Sequence, residues 1–259
     1  MTLKEVRKLS QFERNDMLRA TDDKELISEI IHSDDEELKE PLASNKNITE
    51  VELRVLSSSK STHVKRQVAL NPKTPKDILD KFSKLNAINS EVAKNPSTPK
   101  DILVKFARGN NEALKEAVAG NINLPCEVQE ALALSPNTNI HQELARNKGA
   151  CVKALCELAF SELTMVKRNV ALNPNANKEI LEYLADDDSW LVREGVAGNP
   201  NTNGELLELL LSDRVNYVRV MALENPNATI EQVKKLSKEK DKLVKEAALK
   251  KLNAMEKKS

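Results

Sequence analysis

The sequence predicts an all-α solenoid, a superhelical stack of about nine to ten two-helix repeats. Three observations predict it. A 26-residue period runs through nearly the whole chain. Within each period apolar residues recur at helical spacing, and alternation at period two never persists. Only 3% of the 259 residues are aromatic, although 40% are hydrophobic. A single large core draws on more rings, whereas thin layers of Leu, Val, Ile and Ala suit small stacked units.

The period is marked by Asn. Five Asn-Pro pairs occur, at Asn71, Asn95, Asn173, Asn199 and Asn225, and Asn45, Asn121 and Asn147 sit in the same frame without Pro. The spacings from Asn45 are 26, 24, 26, 26, 26, 26 and 26, and the frame extends back to Arg19 and forward to Lys251. The two-residue deletion falls between Ser83 and Ile88, where a loop is expected.

A first helix follows each turn. In Thr74-Pro75-Lys76-Asp77 and Thr98-Pro99-Lys100-Asp101, Thr is expected as N-cap, Pro as the first helical residue and Asp as the capping acid. Thr202 with Glu205 and Asp22 with Glu25 keep this arrangement. Ile78, Leu79 and Phe82, then Ile102, Leu103 and Phe106, then Leu206, Leu207 and Leu210 form its buried face. The second helix carries the apolar column Leu38, Val64, Ile88, Leu114, Ile140, Val166, Val192, Val218 and Val244, with an Ala column beside it from Ala43 to Ala197. Small residues at a fixed place let neighbouring helices approach closely. The helix is expected to end at Asn in a left-handed C-cap, with the following Pro disfavouring helical geometry. The repeated Asn is also placed to form a hydrogen-bonded ladder between repeats.

The unit V-[RK]-x-x-V-A-x-N-P-x-T-P-x-[DE]-[IL]-L-x-x-[LF]-A, seen best at 64–83, 88–107, 166–185 and 192–211, resembles the leucine-rich repeat variant family. The resemblance implies alternating α- and 3₁₀-type helices in a right-handed superhelix, with armadillo and HEAT repeats nearest in architecture. It covers residues 38–251, with a degenerate N-terminal capping region at 1–37 and a basic C-terminal tail at 252–259. The iron–sulfur cluster known in that family is held by an N-terminal Cys-rich segment. Here no Cys precedes Cys126, so the cofactor does not carry over. The segment 147–165 departs from the pattern, with Lys148-Gly149-Ala150 in the turn.

Forty basic and forty acidic residues disfavour a globally basic nucleic-acid binder. No apolar leader follows Met1 and no window suits a membrane span. Cys126, Cys151 and Cys156 show no C-x-x-C spacing, so a reduced cytoplasmic protein with free thiols is expected. No metal site, cofactor motif or catalytic constellation stands out from the repeat, and the chain is expected to be a non-enzymatic monomer.

Two features are candidate sites. One is a basic stripe beside the Val column: Lys39, Lys65, Lys115, Lys167, Arg193, Arg219 and Lys245. It reads either as a track for an anionic partner or as a structural element whose heads meet loop acids such as Asp187 and Asp213. The other is an aromatic anchor, Trp190 and Tyr217, between the helices of adjacent repeats. An acidic column (Glu25, Asp77, Asp101, Glu127, Glu179, Glu205, Glu231) is explained by capping and the helix dipole. Together these predict a scaffold that binds a protein or peptide along the solenoid surface. Nucleic-acid binding through the basic stripe is the alternative, weakened by the scarcity of stacking aromatics.

Overall fold

The computed structural model describes residues 2–256. Among them, α-helices alternate with short loops and there is no strand. The chain divides into two compact units, residues 1–125 and 126–259.

The first unit holds α1 (Leu3–Val6), α2 (Gln11–Ala20), α3 (Lys24–His32), α4 (Glu36–Ala43), α5 (Glu50–Leu56), α6 (Thr62–Leu70), α7 (Lys76–Phe82), α8 (Asn89–Lys94), α9 (Lys100–Arg108) and α10 (Glu112–Ala119). Even-numbered helices are the second helices of the repeats, and they pack in sequence, α2 on α4, α4 on α6, α6 on α8 and α8 on α10. The second unit holds α11 (Cys126–Ala133), α12 (Thr138–Arg146), α13 (Val152–Ala159), α14 (Thr164–Leu172), α15 (Lys178–Leu184), α16 (Trp190–Gly198), α17 (Gly204–Leu210), α18 (Asn216–Glu224), α19 (Ile230–Leu236) and α20 (Lys242–Glu256). Its second helices stack the same way, from α12 to α20. The architecture is an α-solenoid. The Val and Ala columns are buried throughout, and Ile78, Leu79 and Phe82 point inward from the first helix.

The first helices are α-helical rather than 3₁₀. Their apolar residues at i, i+1 and i+4 share one face at 3.6 residues per turn. Among the described residues the 3₁₀ turn Asn86–Ile88 stands alone, at the shortened spacing before α8.

The Asn column forms the expected ladder. The Asn71 Nδ2 donates to the carbonyls of Ala43 (2.9 Å) and Asn45 (3.3 Å), one repeat back. Asn95 repeats this on Ala69 and Asn71, and Asn121 on Ala93 and Asn95. In the second unit Asn173, Asn199 and Asn225 reach Ala145 and Asn147, Ala171 and Asn173, and Ala197 and Asn199. Each Asn Oδ1 accepts the N–H two residues on, as in Asn201 N–H to Asn199 (2.8 Å). Helix-end carbonyls lacking an intrahelical partner are thereby satisfied by the next repeat. A second, more exposed rung runs alongside: Asn201 donates to Pro174 and Ala176, and Asn227 to Pro200 and Thr202. At the last position of the frame, Lys251 takes the place of Asn and donates through Nζ to the Leu223 and Asn225 carbonyls. Burial pulls its pKa below the ordinary lysine value, with Glu224 opposing.

Three local expectations are corrected. Among the described residues no non-glycine residue has positive φ, so the Asn C-caps are not left-handed. Asn71, Asn173 and Asn199 are extended, with ψ of 123°, 129° and 130°. The following Pro excludes the helical region, and the extended backbone aims the amide at the neighbouring repeat. The caps also differ. Thr74, Thr98 and Thr202 are buried and turn their hydroxyls back to the carbonyls of Val68, Val92 and Val196. The N-caps lie one residue later, with Asn203 capping α17 and Asp23 capping α3. Asp77 binds Arg54 of the preceding first helix (2.5 and 2.9 Å) instead of a cap. Finally, α20 runs to Glu256, so most of the expected tail continues the last helix, and 257–259 lie outside the described residues.

Candidate partner-binding surface

The basic stripe is built on the second helices, and its heads follow the chemistry of the loop twenty residues on. Where that loop position is acidic, the base crosses to the next repeat. Lys167 pairs with Asp187. Arg193 meets Asp213 through two nitrogens (2.7 and 3.0 Å) and donates to the Asp187 and Asp188 carbonyls. Arg219 meets Glu239 (2.6 Å) and the Asp213 carbonyl. Both Arg193 and Asp213 side chains are under 10% exposed. Burial alone would raise the Asp213 pKa, but the Arg193 guanidinium and the Val215 N–H outweigh it and hold the carboxyl below its ordinary range. Where the loop position is Ser, the base turns to its own helix: Lys39 to Glu36 (3.3 Å), with Ser59 on the same carboxylate, and Lys115 to Glu112 (2.7 Å). Lys65 is half-buried and Lys245 exposed. Within the second unit Lys167, Arg193 and Arg219 are thus engaged as inter-repeat braces.

Trp190 and Tyr217 begin α16 and α18 rather than lying between helices. They are 39% and 56% exposed, and their ring centroids are 5.7 Å apart. The stack brings them together because α16 approaches its neighbours closely. A Cβ on Gly195 would lie 3.0 Å from Ala171 Cβ and 3.2 Å from the Arg168 carbonyl. Gly198 faces Met221 at a similar distance.

A second exposed apolar set was missed by sequence reasoning. Leu134, Phe160, Tyr183 and Leu209 stand outward at the ends of α11, α13, α15 and α17. Phe160 and Tyr183 are in contact, with centroids 4.8 Å apart. Reading the outward positions of the first helix in register would have found them.

The free-thiol expectation is overturned for two cysteines. Cys126 and Cys151 form a disulfide, Cα–Cα 5.6 Å apart. Their separation of 25 residues is one short of the repeat, so stacking brings the two helix starts side by side. A disulfide persists in an oxidising compartment and, in the cytosol, marks a redox-responsive site. Glu130 Oε1 lies 3.3 Å from Cys126 Sγ. Cys156 remains free and exposed. Nearby, buried Gln129 donates to the Gly149 carbonyl (2.9 Å) and accepts from Cys151 N–H (2.7 Å), bracing the turn in which Lys148-Gly149-Ala150 departs from the pattern. Among the described residues no helix is long and apolar enough to cross a membrane.

No protein-family model matches the chain, and no curated protein matches it. Among solved structures it is similar to a leucine-rich repeat variant with a repetitive structural motif. That likeness has 19% identity and a TM-score of 0.52, covering 85% of this chain and 87% of the other. A computationally designed armadillo repeat protein for modular peptide recognition also matches, at 16% identity and a TM-score of 0.21, with 97% of each chain covered. The first of these agrees with the solenoid fold read from the repeat.

Proposed function

We propose that the protein is a non-enzymatic scaffold that binds another protein or peptide along its solenoid surface. The observation that carries this reading is the Trp190–Tyr217 pair, two large rings left exposed and in contact on adjacent repeats. Such rings supply rigid contact area and are common anchors of protein interfaces. In a chain with seven aromatic residues, their placement outside the core is costly unless a partner covers them.

The basic stripe plays a supporting part in this proposal, with Lys167, Arg193 and Arg219 holding the loops that carry the aromatic helices. The nucleic-acid alternative draws less support, because those groups already meet carboxylates. A cytoplasmic setting fits the role, and there a thiol pool would open the Cys126–Cys151 link.

The test is affinity capture from the native host by the intact chain and by the Trp190→Ala/Tyr217→Ala variant, with circular dichroism to verify folding. A specific protein captured by the former and lost from the latter supports the reading. An identical capture profile removes the anchor. Retardation of a labelled duplex at low salt would restore the alternative.

A further inference from the structure

The outward face of the first helices in the second unit combines an apolar ridge with an unusual charge pattern. Its ridge is Leu134, Phe160, Tyr183 and Leu209, which are 73%, 63%, 52% and 60% exposed. Around it, the last turns of α11, α13, α15 and α17 carry Glu130, Glu157, Glu182 and Glu208 and no basic residue. Asp186 follows directly after α15, and Glu127, Glu179 and Glu205 sit in the first turns.

Capping accounts for the first-turn acids. It cannot account for those in the last turns, where the helix dipole disfavours negative charge. Of the other first helices, α5, α7, α9 and α19 carry Arg54, Lys81 beside Asp80, Lys105 with Arg108, and Lys234 with Lys235 in their last turns, and α3 carries His32 beside Glu29. An acidic last turn with no basic residue in it is therefore confined, among the described first helices, to the four that expose the ridge. Intramolecular pairing is thin. Lys153 lies 3.6 Å from Glu130, Lys178 3.5 Å from Glu182 and Lys235 3.0 Å from Glu208, all exposed pairs of small energetic worth. Among the described residues Glu157, Glu179 and Glu205 form no ion pair with a basic side chain, while Asp186 lies in the field of Arg193. At the end of the ridge a cleft of about 390 Å³ opens, lined by Asp186, Asp187, Asp188, Asp213 and Leu209 and also by Arg214 and by Arg193, which Asp213 already holds.

We propose that this face docks a cationic amphipathic protein segment, whose apolar side chains cover Phe160, Tyr183 and Leu209 while its Lys and Arg side chains meet the flanking carboxylates. The sign of the charge selects the occupant, since a phosphate backbone or an anionic lipid surface would be repelled. Apolar side chains on adjacent repeats are offered at steps of about 8–10 Å. A polyproline II-type segment, with three residues per turn at about 3.1 Å each, brings every third side chain to one face at about that step. The inference rests on the scaffold reading, but on other residues, so the two can fail separately.

The probe is a fluorescein-labelled peptide of Lys interspersed with Leu and Phe, compared with its Glu-for-Lys counterpart by fluorescence anisotropy. The Lys peptide is expected to bind with an affinity that falls as salt rises, and the Glu peptide not to bind. The Glu157→Gln/Glu179→Gln/Glu182→Gln/Glu205→Gln variant should weaken binding about tenfold or more, a change of about 1.4 kcal/mol, as should Phe160→Ala/Tyr183→Ala. Trp190→Ala/Tyr217→Ala should leave it unchanged. Glu157→Gln alone should raise rather than lower the melting temperature, because that carboxylate opposes the dipole. Equal affinity for the two peptides, or affinity unmoved by the neutralised variant, overturns the docking face. Loss with the Trp190 variant alone moves the site to the other anchor. Absence of peptide binding alongside intact capture through Trp190 and Tyr217 defeats this inference and leaves the scaffold reading standing.

Discussion

Replacing Asn199 by Ala removes three hydrogen bonds from a side chain that is 1% exposed. Its Nδ2 bonds the Ala171 carbonyl at 2.6 Å and the Asn173 carbonyl at 2.9 Å, and its Oδ1 accepts from Asn201 N–H at 2.8 Å. Alanine leaves two carbonyls and one N–H without these partners. At about 1–1.5 kcal/mol for each buried bond lost without replacement, the expected destabilisation is about 3–5 kcal/mol. Trp190 is the only Trp and lies in the same repeat, so its fluorescence during urea unfolding reads the second unit, with far-ultraviolet circular dichroism as the second probe. Asn201→Ala is the internal comparison. Its bonds to Pro174 and Ala176 are on the exposed rung, where water replaces them, and the loss should stay near 1 kcal/mol or below. Asn199→Asp should be worse than Ala at neutral pH, because a carboxylate would face two carbonyls, and should recover in part on acidification. A loss below about 1 kcal/mol for Asn199→Ala at unchanged denaturant slope would refute the ladder as the tie between repeats.

Other consequences follow from the braces, the close helix approach and the disulfide. Arg193→Met strands Asp213 in a buried site and should destabilise the second unit by about 2–4 kcal/mol, read by the same titration. Asp213 has a depressed folded pKa, so its contribution is present above the ordinary carboxylate value of about 3.9 and is lost as pH falls through that value toward the folded one. In Arg193→Met the carboxylate is buried without its partner, so this acid-linked loss disappears and the variant's stability deficit should shrink as pH falls. Gly195→Ala should destabilise by about 1–3 kcal/mol through overpacking against Ala171. Gly204→Ala meets nothing within 4 Å and should stabilise by about 0.4–1 kcal/mol. Reducing Cys126–Cys151, or replacing both by Ser, should lower stability by about 3 kcal/mol for a closed loop of this size. An unchanged melting temperature on reduction would show that stacking alone holds that pair of repeats.

The fold was legible because each repeat restates the same physics. The Val and Ala columns, the Asn frame and the inward Ile-Leu-Phe triplets are visible as spacings, and each is buried where the spacing placed it. Local geometry was less legible. The cap at Thr202 moved to Asn203 because the Thr hydroxyl has a better partner in the Val196 carbonyl, which only the folded turn supplies. The Cys126–Cys151 bond escaped for a related reason. A separation of 25 becomes contact only after the period is converted into a stack. Trp190 and Tyr217 were found by composition, whereas Phe160, Tyr183 and Leu209 require knowing which helical position faces outward.

Charge in this chain is meaningful by position rather than by sum. The same second-helix column binds a loop carboxylate where the loop offers Asp or Glu and its own helix where the loop offers Ser, so five of its seven cations are engaged by the fold. The first-helix acids divide differently. Those in first turns agree with the dipole, and those in the last turns of α11, α13, α15 and α17 contradict it while basic residues hold the equivalent place in α5, α7, α9 and α19. Last turns that hold an acid and no base in four consecutive repeats, beside exposed Leu, Phe and Tyr, add electrostatic strain to unburied apolar area. Neither feature stabilises the isolated chain, and a cationic amphipathic segment relieves both at once. Sites where sequence disagrees with local stability are where function is to be sought, and here the disagreement marks the first-helix face as firmly as the aromatic pair marks the second.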